Sequence, residues 1–263
     1  MGQHIQTNGI GMYCEEDGAG PPLLCIAGLA AGHDAWLAVR HTLARHFRVI
    51  VFDNRGIGQT DAPDAPYSIA QMADDTLGLM DQLKLNDAFV MGHSMGSAIA
   101  QALAVRCPDR VSRLVLCNPL IRFRAMAAHT FRTNARLIRA GVPEHLIFRV
   151  IMPWLFSNAF FEDPARTAAL EAAVEAHPTA QPLHAFERQL AALEEFDARP
   201  LLPKIAACAL VIAGQADIMT PPEEAREAAG LIPNARYTTL PAGHLGLSEC
   251  PEEFCDAVRG FLE

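Results

Sequence analysis

A serine stands between two glycines in Gly92-His93-Ser94-Met95-Gly96, directly after the apolar run 88–91 and before an amphipathic pattern that continues through Arg106. In that setting the spacing has a steric meaning. A serine on a sharp strand-to-helix turn takes strained backbone angles, and the close approach of strand and helix leaves room only for small residues two positions away on either side. Such a turn exposes Oγ and aims the N-terminus of the next helix at the place where an oxyanion would form. A chance pentapeptide in an Ala- and Gly-rich chain is the competing reading, and the flanking strand and helix patterns weigh against it.

A hydroxyl at its ordinary pKa is a poor nucleophile and needs a general base that is itself oriented by a carboxylate. Asp217 follows the apolar run 209–213 in Gly214-Gln215-Ala216-Asp217, 123 residues after Ser94. His244 follows the next such run in Pro241-Ala242-Gly243-His244, a further 27 residues on. Singly, Asp217 reads as a helix cap before Thr220-Pro221-Pro222 and His244 as a loop histidine. Jointly, at the ends of neighbouring strands and in the order Ser, Asp, His, they read as a triad in which Ser94 attacks a carbonyl carbon, His244 relays the proton and Asp217 holds the imidazole. The backbone N–H groups of Met95 and Leu29 are the expected oxyanion donors. Leu29 lies in Ala27-Gly28-Leu29-Ala30-Ala31-Gly32, where Gly28 should let the backbone turn towards the site; a flexible loop without catalytic meaning is the alternative.

The other nine histidines compete poorly as bases. His93 is expected to pack under the turn, and the rest fall in an edge hairpin, an early loop and helix, or a helical insertion. His, Asp and Glu show no spacing of the H-E-x-x-H kind, so neither a metal nor another cofactor is expected.

The elements that must position these groups follow from hydrophobic rhythm. Short apolar runs alternate with longer helical patterns, which predicts an α/β fold with a mostly parallel central sheet flanked by helices. Segments 4–6 and 12–15 flank Asn8-Gly9 and should form an antiparallel hairpin at the sheet edge. Buried strands are expected at 23–27, 49–52, 88–91, 114–117 and 209–213, with a last one at 237–240, and core helices at 69–83 and 252–262. Residues 120–203 break the rhythm and predict an inserted helical cap on a core made of 1–119 and 204–263. Its helices are expected at 124–140, 144–155, 164–177 and 182–195, separated by Gly141-Val142-Pro143, Asp163-Pro164 and His177-Pro178. An insertion after a central strand is placed to roof a site at the C-terminal ends of the strands.

Composition narrows the partners. At 263 residues, 51% hydrophobic and 19% charged, the chain is neither disordered nor a coiled coil. Thirty acidic against 21 basic residues leave a net charge of −9, which speaks against nucleic acid. The opening Met1-Gly2-Gln3-His4-Ile5-Gln6 lacks the pattern of a secretory signal, and no run approaches the ~18 apolar residues of a membrane span, so no membrane partner is expected. Seven scattered cysteines without C-x-x-C spacing are expected to be buried thiols in a reducing cytoplasm. The partner expected is a small-molecule substrate; a homo-oligomer is compatible with the sequence.

Over its whole length the chain resembles the α/β-hydrolase superfamily. Beyond the Ser, Asp and His motifs, Asp53-Asn54-Arg55-Gly56-Ile57-Gly58 is similar to that family's D-x-R-G-x-G loop, where Asp53 and Arg55 would be structural, and Gly243-His244 is followed by Glu249-Cys250-Pro251-Glu252. Within the superfamily the chain looks most like the capped small bacterial enzymes that include 3-oxoadipate enol-lactonases and aminoacrylate hydrolases. The run Pro66-Tyr67-Ser68-Ile69-Ala70-Gln71-Met72 and the pair Leu155-Phe156 carry that narrower likeness. Relatives often have His-Gly where this chain has Ala27-Gly28, so polar support of the oxyanion loop is lost or moved, and often Gly-Gly where it has Gly96-Ser97. The resemblance implies a serine hydrolase of a small ester, lactone or enamine-like acid. A C–C bond hydrolase with the same triad, and a non-catalytic ligand-binding member of the fold, stand as alternatives.

Substrate charge has one hint. Residues 122–139 hold Arg122, Arg124, Arg132, Arg136 and Arg139 with no acid among them, in an otherwise acidic chain. The last three share one helical face and read first as a solvated stripe. If one of the five reaches the site to pair a substrate carboxylate, Arg124 near the start of the cap is the expected one. Trp154 is the second candidate substrate-binding residue.

Overall fold

The computed structural model describes residues 2–176 and 181–263. Its strands are β1 (Gln3–Thr7), β2 (Ile10–Asp17), β3 (Pro22–Ile26), β4 (Arg48–Phe52), β5 (Ala88–His93), β6 (Val111–Cys117), β7 (Cys208–Gly214) and β8 (Ala235–Leu240). They form one sheet in the order β1-β2-β4-β3-β5-β6-β7-β8. The edge hairpin closes as its turn residues require: Asn8 and Gly9 both have positive φ, 48° and 78°, and Thr7 pairs with Ile10. β2 runs antiparallel to β4, and from β4 onward every pairing is parallel.

Apolar residues on both faces of the central strands account for their continuous hydrophobic runs. In β3, Leu24 and Ile26 pack into the cluster beneath the helices Ile69–Gln82 and Met95–Arg106. Leu23 and Cys25, pointing the other way, join Trp36, Val39 and Phe254 beneath the helices Leu37–Leu43 and Pro251–Leu262. β5 extends past its apolar run through Gly92 and His93, because both still pair with β6 opposite Leu116 and Cys117. Ser94 therefore lies between the last strand residue and the first helical one.

Between β6 and β7 come the helices Ala125–Arg139, Glu144–Leu155, Asn158–Phe161, Pro164–Ala176 and Leu183–Glu194. Gly141, at φ 77°, stops the first of them. Asn158–Phe161 escapes sequence reading because a single turn has no periodicity; Ser157 caps it by accepting from Phe160 N. The His177-Pro178 stop lies outside the described residues. A bridge between Arg122 and Asp197, with Ala198 N donating to Ile121 O at 2.8 Å, brings the two ends of this insert together.

The cysteine expectation needs correction. Five thiols are buried, but Cys107 is half-buried and Cys208, the first residue of β7, is exposed. No helix among the described residues is long and apolar enough to cross a membrane.

Candidate active site

Ser94 has φ 53° and ψ −118°, a conformation that L residues rarely adopt. Surrounding contacts hold it there. Its N–H donates to Cys117 O at 3.0 Å, and its carbonyl accepts from Ser97 N at 2.8 Å and from Ser97 Oγ at 2.6 Å. The flanking glycines are required by packing: a Cβ on Gly92 would lie 2.2 Å from Gly96 O, and one on Gly96 would lie 1.9 Å from Ile26 O. Gly96→Ala is accordingly expected to cost about 3 kcal/mol or more in a urea melt. Gly230→Ala is the matched control, because Gly230 sits in the helix Pro222–Leu231 with nothing within 4 Å of the new methyl. That change should stabilise by up to about 1 kcal/mol. Equal effects at the two positions would rule out the steric account of Gly96.

Asp217 and His244 lie in the loops after β7 and β8, which are zipped together by Gln215 N to Leu240 O and Ala216 N to Ala242 O, both 2.9 Å. Gly214 permits the approach, since its Cβ would fall 1.9 Å from Gly243 O. His244 Nδ1 is 2.7 Å from Asp217 Oδ2. The same oxygen accepts from Asn118 Nδ2 and Thr220 Oγ1, both at 2.7 Å, while Oδ1 accepts from Met219 N at 2.8 Å and Thr220 N at 3.0 Å. Burial by itself would push the Asp217 carboxyl up. The imidazole charge opposite and the His244 and Thr220 hydrogen bonds outweigh it and hold the pKa below the ordinary value, so the group is ionised. Asp217 does not cap the following helix, whose N-cap is Pro221. Its two backbone donors close a turn upstream instead.

Two neighbours complete the electrostatics. His93 is 6% exposed and stacks at a tilt on His244, ring centroids 4.9 Å apart. Burial first, then the charge on His244, hold the His93 pKa down at about 3. Neutral His93 therefore donates through Nε2 to the His244 carbonyl at 2.9 Å. Glu249 links the histidine loop to the insert, accepting from Gly243 N at 2.7 Å through Oε1 and from Ser157 Oγ at 2.5 Å through Oε2. Asn118, Thr220 and Glu249 are site groups that sequence reasoning missed; Asn118 directly follows β6, and its positive φ of 48° turns it towards Asp217.

Leu29 lines the same cavity as Ser94, and Met95 is the first residue of the helix that follows Ser94. Among the described residues neither Leu29 N–H nor Met95 N–H has a hydrogen-bond partner. The left-handed turn of the loop falls on Ala30, φ 56°, rather than on Gly28. Gly28 matters for closeness, since its Cβ would stand 3.3 Å from Ser94 Cβ. Polar support of this loop comes from the segment after β4. Asn54 Nδ2 donates to Ala27 O at 3.1 Å, and buried Asp53 accepts from His33 N at 2.7 Å and faces His33 Nδ1 at 2.8 Å. That hydrogen bond raises the His33 pKa and strengthens the clasp whenever the ring is protonated. Arg55 is engaged with Asp75 through two 2.8 Å bonds.

Ser94 and His244 open onto one cavity of about 250 Å³ between the strand ends and the insert. Phe123, Phe131, Phe148, Ile151 and Leu155 of the insert form its roof. Ser94 Oγ makes no hydrogen bond among the described residues; in free enzymes the bond from nucleophile to base often closes only with substrate. Arg124 and Trp154 do not line the cavity. Arg124 is the N-cap of Ala125–Arg139, is 39% exposed and pairs with Glu224 at 3.4 Å. Trp154 lies about 90° around its helix from the face made by Phe148, Ile151 and Leu155, and packs against the apolar cluster of Phe131, Ile151 and Met219 that borders the cavity. Arg132 and Arg139 pair with Glu194 and Glu187 in a separate surface groove, so the stripe is a solvated, ion-paired face. No group of three or more metal-ligating side chains occurs among the described residues.

Residues 21–251 match the family model for the alpha/beta hydrolase fold. The chain belongs to the α/β-hydrolase family. Among solved α/β-hydrolase structures it is similar to the enol-lactonase from Burkholderia xenovorans LB400, with 31% identity, 99% of each chain covered and a TM-score of 0.90. It is similar as well to a thermophilic esterase from Thermogutta terrifontis, at 30% identity over 100% of this chain and 98% of that one, TM-score 0.88. A Mycobacterium tuberculosis relative, provisionally named non-heme bromoperoxidase BpoC, is 33% identical over 258 residues, 96% of this chain and 98% of its own. With the family match over residues 21–251 and hydrolases among its neighbours, the protein is an enzyme of hydrolytic type.

Proposed function

We propose that the protein is a serine hydrolase that opens a small ester or lactone through an acyl-enzyme, with Ser94, His244 and Asp217 as triad and no cofactor taking part. The observation that carries this reading is the 2.7 Å bond from His244 Nδ1 to an ionised, five-donor Asp217, on an imidazole that shares its cavity with the strained Ser94. With Nδ1 engaged, Nε2 is the nitrogen left to take a proton. Ser94 Oγ bonds to the carbonyl carbon as its proton passes to His244 Nε2, and the carbonyl electron pair moves onto oxygen. The unpartnered N–H groups of Leu29 and Met95 would receive that oxyanion, with the helix N-terminus adding its partial positive charge. Collapse breaks the bond to the leaving oxygen, which takes the proton from Nε2. Water then repeats both steps on the acyl-enzyme and releases the acid.

Incubation with p-nitrophenyl acetate and butyrate should show turnover, and a fluorophosphonate probe should add one phosphonyl group, mapped to Ser94 by peptide mass. Absence of both turnover and adduct would exclude the serine mechanism and leave a ligand-binding member of the family. Turnover with the adduct on another residue would displace Ser94 from its role.

A further inference from the structure

The described residues around the Ser94 cavity are almost entirely apolar, and none of them is Lys or Arg. Its polar side chains among the described residues are Ser94, His93, His244 and Ser248, together with the buried indole N–H of Trp36, a neutral donor without a partner. His93 is uncharged, because burial keeps its ring deprotonated, and His244 faces the Asp217 carboxylate, so the fixed charge behind the site is negative. The five arginines at the start of the insert could in principle have supplied a cation. Arg124, Arg132 and Arg139 are instead each paired with a glutamate, and Arg132, Arg136 and Arg139 line a different groove. A carboxylate entering this cavity would lose its water and meet no compensating charge, whereas an alkyl or aryl group would meet Phe123, Phe131, Phe148, Ile151, Leu155 and Met219.

We infer that the substrate is an uncharged ester or lactone whose acyl part is small and apolar, and that the cavity rejects acyl groups carrying a carboxylate. The inference rests on the serine-hydrolase reading and adds the substrate class to it. Each methylene added to the acyl chain should raise kcat/KM about fourfold until the cavity is filled. A chain that outgrows about 250 Å³ should then lose activity.

The test compares two esters of matched shape by pH-stat at pH 7.5: ethyl 4-methylpentanoate, and monoethyl succinate, in which a carboxylate replaces the terminal isopropyl group. We expect kcat/KM for the neutral ester to exceed that for the anionic one by about 100-fold or more. Arg124→Met should leave both values unchanged. Comparable values, or a preference for monoethyl succinate, would overturn the inference, most clearly if Arg124→Met abolished the activity on the anion. Phosphonylation of Ser94 without turnover of either ester would also overturn it. Failure of both esters with Ser94 unlabelled would remove the serine-hydrolase reading itself, so the two failures are told apart by the adduct.

Discussion

Ser94→Ala is expected to lower kcat by about 10⁴- to 10⁶-fold and to leave the thermal melting curve unchanged. The two halves of this expectation have separate causes. Alanine keeps the Cβ, so the backbone at φ 53° carries the same strain, and the hydrogen bonds that hold the turn run through the Ser94 backbone and the Ser97 hydroxyl. Ser94 Oγ has no hydrogen-bond partner among the described residues, and its loss leaves no buried group unpaired. What disappears is the atom that would attack. Steady-state kinetics with p-nitrophenyl butyrate, alongside a melt of the same preparation, checks both halves. Retention of near wild-type turnover would sink the mechanism, while a collapsed melt would show that the hydroxyl has a structural role not visible in its contacts.

Asp217→Asn is the second large effect, expected at about 10³- to 10⁴-fold in kcat. An amide has one acceptor oxygen where the carboxylate has two, and every position around Asp217 is occupied by a donor. Met219 N and Thr220 N are fixed backbone groups, so the amide oxygen should settle against them in place of Oδ1. The NH₂ then points at Asn118 Nδ2, Thr220 Oγ1 and His244 Nδ1, where Oδ2 had accepted. Thr220 can rotate its hydroxyl to accept, but His244 is pressed into the tautomer with its proton on Nε2, the nitrogen that receives the Ser94 proton in the proposed mechanism. The charge that would stabilise an imidazolium is lost as well. Because Asn118 and the amide now present donors to each other, stability should fall too, by about 1–3 kcal/mol. A double variant with Asn118→Asp restores one carboxylate within reach and should recover part of both losses. A nearly silent Asp217→Asn would mean that another carboxylate orients His244.

Read from the chain, Ser94, Asp217 and His244 share a local mark: each falls within four residues of the end of a strand, and local order decides such positions. The glycines at 92 and 96 were legible for the same reason, because a strand running straight into a helix leaves the packing around the turn little freedom. The strand and helix spans that were expected came through within a few residues, whereas the helices Leu37–Leu43 and Pro222–Leu231 had no expected span and the single-turn Asn158–Phe161 is too short to show a period. What the chain could not tell was which side chains meet across long sequence distances. The strand order that sets β3 between β4 and β5, the donation from Asn118 across 99 residues to Asp217, and the support of the Leu29 loop by Asp53 and Asn54 all depend on how separate elements dock. The arginines show the limit most directly. Their types and helical spacing are read from sequence, but the partners of Arg124, Arg132 and Arg139 are glutamates on another helix or beyond the insert, and pairing holds these three away from the cavity. Local sequence determines backbone conformation and which residues sit at strand ends, since those follow from sterics and periodicity within a few residues. Only the tertiary structure decides the charge and solvation inside the cavity, because these are sums over groups that folding brings together from the whole chain.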